Sequence, residues 1–357
     1  MKHTENCNRG GQFSTSRIAG LDLLRSLAIF SVIGVHFFLN TPFAKTPFVG
    51  SSMFLQGIVQ HLMGVGVPLF LLLTGYLNIN KKLSRTYYRG LVRVLSAYLL
   101  YSLFTIVFRI GYLGEEYSVQ FWIHSILKFS AIGYAWYIEM WIGLFLLTPF
   151  LNVLYKNLSS RREKQVLIVT LVMLSLMAKF ANRYDLHVGP GFWESIYPLA
   201  YYFAGAYIRE YKPRISIVKG LTVIIGLSLL NPLFNTFFMG NSKMVYPFGN
   251  SDTPLYFVLS LCVFLLLYQR DVKHAATRAV LMSVSLLSLD MYLVSFAFDR
   301  LYYPLMMQHF FVSQSQFGIY WFVIPPMVFV SSYVVSYIIH PLLPTGKPRV
   351  KIPRNKS

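Results

Sequence analysis

Cysteine is scarce in this sequence. The two cysteines, Cys7 and Cys262, lie in the N-terminal tail and inside an apolar segment, so we expect no disulfide between them. The sequence contains no C-x-x-C motif and no cluster of histidines and cysteines at metal-ligand spacing. It therefore predicts neither a structural disulfide nor a metal cofactor.

Charged residues are also few, and this excludes an ordinary soluble fold. They make up 13% of the chain, whereas soluble globular domains carry about 25%. Hydrophobic residues reach 55% and aromatic residues 17%, and aromatic side chains are enriched at membrane interfaces. With a mean hydropathy of +0.52, the chain leaves no room for a large soluble domain and predicts a polytopic membrane protein.

Acidic residues are the scarcer of the charged types. The chain has 13 Asp and Glu against 32 Lys and Arg, which gives a formal net charge of +19. In a soluble protein such an excess would indicate nucleic-acid binding. Here the basic residues lie between apolar segments, so membrane topology explains the excess and we expect no nucleic-acid partner.

Most of the sequence consists of long apolar segments. A bilayer core takes about 20 apolar residues per helix, and the segment near Leu21 lacks a small-residue cleavage site, so we interpret it as a retained helix and not a signal peptide. The prediction is an all-α membrane domain of about ten transmembrane helices over 21–341, with tails at 1–20 and 342–357 and an interfacial helix near 121–129. The predicted spans are 21–39, 53–77, 90–110, 133–155, 165–180, 192–208, 216–234, 253–269, 279–298 and 319–341.

The distribution of basic residues predicts the orientation of these helices. With the N-terminus in the cytoplasm, 24 of the 32 Lys and Arg residues fall in inside segments and seven fall in outside loops. This alternation follows the positive-inside rule. We therefore expect both termini in the cytoplasm, membrane lipids around the bundle, and a multi-pass protein of the inner (plasma) membrane.

Ionisable residues inside the apolar segments are the first candidates for function, because each costs about 2.5–3.5 kcal/mol to insert. They are Arg25, His36, His61, Glu139 and Asp290. Arg25 and His36 are eleven residues apart, so they share one helix face and are separated by about 16 Å along it. An ordinary interpretation stays open, in which Arg25 reaches the inner headgroups and His36 hydrogen-bonds a neighbouring helix.

The surrounding motifs resemble a known family. Residues 20–28 (GLDLLRSLA) with His36 resemble the first helix of the acyltransferase family 3 membrane proteins, whose hallmark is an Arg, ten residues and a His. Residues 64–70 (GVGVPLF) and 74–77 (TGYL) are similar to the second helix of that family. Residues 136–144 (WYIEMWIGL) resemble the branch that contains the O-acetyltransferase of enterobacterial common antigen.

The chain departs from the pattern of that family at two places. Where the family has Arg-x-x-Arg, Gly90 stands at the first position, Arg93 matches the second, and Arg89 is the nearest substitute. In the ninth helix Ser295 replaces a usual His and Asp290 replaces a usually small residue.

The resemblance implies a transfer reaction across the membrane. The donor would be acetyl-CoA in the cytoplasm, and the acceptor would be a hydroxyl of a cell-surface glycan or lipid-linked sugar. Arg85, Arg89 and Arg93 lie at i, i+4 and i+8 near one helix face, where guanidinium groups can bind phosphates. They are predicted to bind the acyl-CoA, although a role as positive-inside anchors is the alternative, above all for Arg85.

The catalytic residues predicted from the same resemblance lie along the first helix. The acyl end would point from Arg25 towards His36, which would act as general base or carry the acetyl group itself. Glu139 lies at a similar depth on the fourth helix and is the predicted orienting carboxylate for His36.

Two other functions stay open from the sequence. One is a transporter of glycans or small molecules, in which Arg25, Glu139 and Asp290 would line a pathway. The other keeps the acyltransferase fold and transfers succinyl or another acyl group. The acceptor hydroxyl and the oligomeric state also stay open.

Overall fold

The structure is helical throughout. It is a computed structural model that describes residues 17–182, 190–239, 243–246, 252–316 and 318–343. The predicted tails fall mostly outside these residues, and so does Cys7, while Cys262 is a free thiol. The α-helices are α1 (Ala19–Asn40), α2 (Gly50–Met63), α3 (Gly66–Asn78), α4 (Arg85–Gly111), α5 (Val119–Leu127), α6 (Trp136–Asn157), α7 (Arg161–Leu171), α8 (Ala178–Asn182), α9 (Tyr197–Tyr211), α10 (Ile217–Phe238), α11 (Pro254–Leu267), α12 (Ala275–His309), α13 (Gly318–Trp321) and α14 (Ile324–Ile339).

The prediction of a polytopic α-helical membrane protein is confirmed. Within the described residues, eight helical segments are long and apolar enough to cross a membrane. The other two predicted spans, 192–208 and 253–269, correspond to the shorter helices α9 and α11. The second predicted span divides into α2 and α3, and a π-helical turn at Val172–Met177 joins α7 to α8. The predicted interfacial helix is α5.

Helix α1 lies at the centre of the bundle, where it packs against α3, α12 and α14. Near its start, Arg25 donates to Ser285 of α12, and near its end His36 meets Asp299 of the same helix. Because both residue numbers rise together, α1 and α12 run parallel. Helix α12 therefore contacts the face of α1 that carries Arg25 and His36 at both of these residues.

Small residues allow α3 and α9 to pack backbone against backbone, as is common between membrane helices. A Cβ at Gly75 would overlap the carbonyl oxygen of Tyr202, and a Cβ at Gly205 would overlap that of Leu72. The close approach of the α3 and α9 backbones thus explains Gly75, the glycine of the T-G-Y-L motif. The contact holds Tyr76 next to Arg209 at the end of α9.

The basic end of the bundle is the end where α1 begins and where α3 and α9 finish, and it carries Arg17, Tyr76 and Arg209. The charge pattern of the sequence predicts that this end faces the cytoplasm.

Candidate active site

A buried histidine and aspartate meet near the end of the bundle opposite the basic end. Nδ1 of His36 lies 3.0 Å from Oδ2 of Asp299, and both side chains are almost wholly buried. If Asp299 is ionised, its carboxylate can only accept hydrogen bonds, and Nδ1 of His36 is then the atom that carries the proton and donates it. This leaves Nε2 with its lone pair, and it makes no hydrogen bond to any residue that the structure describes.

An aromatic ring and an amide fix the imidazole plane. The ring of Tyr134 stacks on His36 with the centroids 3.7 Å apart and the planes inclined by 26°. The side-chain amide of Asn40 donates both to the carbonyl oxygen of His36 and to the hydroxyl of Tyr134. The imidazole therefore has a set orientation and a set tautomer, which a general base requires.

Asp299 was not predicted from the sequence, because the ninth span was expected to end at residue 298. The helix continues to His309. A signal for the longer helix is present in the sequence as a polar stripe at helical spacing. Its members are buried residues of α12 at steps of three and four, namely Ser285, Ser288, Tyr292, Ser295 and Asp299.

A cavity of about 440 Å³ opens at the basic end. Arg17, Arg25 and Arg209 line it together with Asp22. Arg17 forms an ion pair with Asp22 at 2.6 Å, whereas Arg209 pairs with no carboxylate among the described residues and lies over the ring of Tyr76 at 5.1 Å. Three guanidinium groups against one carboxylate leave this mouth positively charged.

A second cavity, of about 360 Å³, continues from the first towards the middle of the bundle. The two cavities share Arg25, Leu77 and Leu286 in their walls. Arg93 and Asp290 also line the second cavity, so a cation from α4 and a carboxylate from α12 face the same space.

The second cavity ends one helical turn short of His36. Val32 and Tyr292 are among its lining residues, and His36 is not. Four residues from Val32 to His36 correspond to about 6 Å. The hydroxyl of Tyr292 donates to the carbonyl oxygen of Tyr134, the residue that stacks on His36. Tyr292 thus connects the cavity wall to the residue that stacks on His36.

The structure does not bring Glu139 to His36. Glu139 is exposed on α6, and the carboxylate that bonds Nδ1 of His36 is Asp299. Asp299, and not Glu139, is therefore the carboxylate in contact with His36. Glu139 lies in the first turn of α6, and its side chain is directed away from His36.

The three predicted arginines of α4 have different surroundings in the structure. Arg93 lines the second cavity, while Arg85 and Arg89 are exposed and line neither of the two cavities. The positive charge near Arg25 comes instead from Arg17 and Arg209, which line the same cavity.

The remaining buried histidines have other partners. His61 lies 3.0 Å from the side-chain amide of Asn231, so it takes part in hydrogen bonding in the core. His340 pairs with Asp290. Among the described residues, no group of three His, Cys, Asp or Glu side chains is arranged to hold a metal ion.

Comparison with known proteins identifies the family of this chain. A family model described as an acyltransferase domain, that of acyltransferase family 3, matches residues 18–341. A comparison with curated proteins and with solved structures gave no match.

Proposed function

The chain belongs to acyltransferase family 3 and is a multi-pass membrane acyltransferase, and we propose that it moves an acetyl group from acetyl-CoA to a hydroxyl of a glycan or lipid-linked sugar. The acetyl-CoA would bind at the basic end, and the acceptor would bind at the opposite end. The acetyl group is proposed because residues 136–144 resemble the branch with the O-acetyltransferase of enterobacterial common antigen. A cytoplasmic basic end would give access to acyl-CoA, and the inner membrane would be the site of transfer.

The observation that carries the proposal is the buried pair of His36 and Asp299 beyond the inner end of a positively charged cavity. Nε2 of His36 would take the proton of the acceptor hydroxyl while its oxygen attacks the thioester carbon. The C–S bond then breaks, and the imidazolium returns the proton to the departing thiolate. An acyl group carried transiently on His36 would give the same balance in two steps.

Asp299 would stabilise the imidazolium that forms in this step. Its Oδ2 accepts from Nδ1–H, and its Oδ1 is buried without a hydrogen-bond partner in the described structure. A carboxylate at this position favours the charged form of the imidazole as the proton arrives. It also prevents the tautomer in which Nε2 carries the proton before reaction.

Binding of the donor would start at the mouth. Arg17, Arg25 and Arg209 present planar donors suited to phosphate oxygens. Arg93 would meet the donor deeper in the second cavity, as the sequence predicts. For Arg85 and Arg89, which line neither cavity, a weaker and longer-range contribution is proposed.

Release of free thiol tests the proposed reaction. Purified protein in detergent is given acetyl-CoA with a sugar acceptor, and free thiol is measured with a chromogenic disulfide reagent. We expect thiol to appear in step with acylated sugar, faster with acetyl-CoA than with succinyl-CoA. A faster rate with succinyl-CoA would change the acyl group and keep the reaction, whereas no thiol from any acyl-CoA would refute the proposal.

The charged mouth predicts a second result. Arg209→Gln should raise the KM for acetyl-CoA by about tenfold with kcat little changed, because a charge-assisted bond to a phosphate is worth about 1.5–3 kcal/mol in part-buried sites. The increase should shrink at high salt. Arg162→Gln, a change at an exposed arginine of α7 outside both cavities, is the matched control. Equal KM values for the two variants would contradict binding at the mouth.

A further inference from the structure

A second buried pair of histidine and aspartate lies in the wall of the inner cavity. Nδ1 of His340 is 2.9 Å from Oδ2 of Asp290, and both residues are at most 3% exposed. Asp290 belongs to α12, like Asp299, but it lies off the polar stripe that faces α1. It lines the second cavity, which the pair of His36 and Asp299 does not.

Asp290 has an oxygen without a partner. Oδ1 is buried and accepts no hydrogen bond in the described structure. The hydroxyl of Tyr101 is the neighbouring donor, but it does not reach Asp290 with the geometry of a hydrogen bond and so leaves Oδ1 unsatisfied. A buried carboxylate oxygen left unpaired is costly. Such an oxygen in a cavity wall indicates that whatever fills the cavity supplies the missing donor.

The position of Asp290 along α12 identifies which part of a donor it would meet. Ser285 contacts Arg25 at the mouth, Asp290 lies five residues further, and Asp299 lies nine residues beyond that. At 1.5 Å per residue, Asp290 is about 8 Å inside the level of Ser285 and about 13 Å short of Asp299. It is thus opposite the middle of a molecule that reaches from the arginines to His36.

The middle of acyl-CoA is a peptide-like arm with two amides. One amide is close to the thioester sulfur, and the other lies one β-alanyl unit further away. An extended chain covers about 3.5 Å per residue, so with its added methylenes the remote amide is roughly 10 Å from the sulfur. That distance is about 3 Å shorter than the separation of Asp290 from the level of Asp299, and the thioester carbon and the attacking hydroxyl oxygen would occupy the difference. The adjacent amide would lie well past Asp290.

We propose that Asp290, held in place by His340, accepts a hydrogen bond from the remote amide N–H of the acyl-CoA arm and so sets how far the acyl group enters. This inference rests on the proposed function. The carboxylate binds the middle of the donor, the arginines bind its phosphates, and the imidazole lies at its thioester end. His340 acts as a positioning residue, because its Nδ1–H fixes one carboxylate oxygen and leaves the other for the ligand.

The test exchanges single atoms of the donor. Acetyl-CoA is compared with an analogue in which an ester oxygen replaces the remote amide N–H, and with one in which it replaces the adjacent amide N–H. Wild-type protein should show a KM about tenfold higher for the remote analogue, as expected for loss of one bond to a charged group. Asp290→Ala should abolish that difference and leave any effect of the adjacent substitution unchanged.

The same measurements separate a ligand-binding role of Asp290 from a structural one. A purely structural role for Asp290 predicts that Asp290→Ala changes the rates with all three donors by the same factor, and this would overturn the inference. Equal KM values of the wild-type protein for acetyl-CoA and the remote analogue would overturn it without any variant, so the test survives if Asp290→Ala does not fold. If the wild-type protein releases no thiol from acetyl-CoA, the proposed function fails instead.

Discussion

Asp299→Asn is expected to lower kcat by about two to four orders of magnitude while the KM for acetyl-CoA stays within about twofold. The asparagine amide would donate to Nδ1 of His36 and favour the tautomer with a proton on Nε2, which cannot act as a base. The same replacement in a Ser-His-Asp triad lowers kcat by about 10⁴. Since Asp299 lines neither cavity, donor binding has no reason to change.

Glu139→Gln is the matched control for this result. It makes the same chemical change at the carboxylate that the sequence predicted as the partner of His36, but this residue is exposed on α6. We expect its kcat to remain within about twofold of wild type. Steady-state thiol release from protein shown to be monodisperse by size-exclusion chromatography measures both variants. A larger loss with Glu139→Gln than with Asp299→Asn would reverse the assignment.

His36→Gln is the second large change, with an expected loss of about 10²–10⁴ in kcat. Glutamine keeps a polar group of similar reach that can hydrogen-bond to Asp299, but it has no basic nitrogen near neutral pH. The protein should therefore fold and bind acetyl-CoA as the wild type does. His36→Ala should be equally inactive, with a further loss of packing against Tyr134.

The interpretation of His36 as a packing residue predicts the opposite pattern. The hydrogen bond to a neighbouring helix that this interpretation requires is present, between His36 and Asp299. Loss of a buried hydrogen bond costs about 1–3 kcal/mol of stability and leaves activity in the molecules that remain folded. Thermal unfolding in detergent and kcat per folded molecule separate the two cases. Normal turnover by His36→Gln would refute the catalytic role.

The arrangement along α1 could be predicted from the sequence because it depends only on helix geometry. Arg25 and His36 share a face at eleven residues' separation, and the structure has both against α12. Direction around a helix could not be predicted, because lipid-facing and protein-facing surfaces are both apolar. This is why Glu139 was expected at a partner position that Asp299 occupies.

Contacts between distant segments could not be predicted from one sequence. The pair of His36 and Asp299 joins residues 263 positions apart. The ninth predicted span ends at 298, one residue before Asp299, yet the buried contact of Asp299 with His36 lies within a helix that continues to His309. In the same way Arg17, just before α1, and Arg209, in α9, line one cavity, and nothing in their local sequence indicates it.

Mass spectrometry of surface glycans tests the central claim most directly. Cells that lack the protein are supplied with the wild type or with His36→Gln at equal membrane levels, and the intact glycans are compared. Acyl transfer through His36 predicts an added acetyl mass on a surface or lipid-linked glycan with the wild type and none with His36→Gln. The same acetyl mass with both proteins would contradict the account.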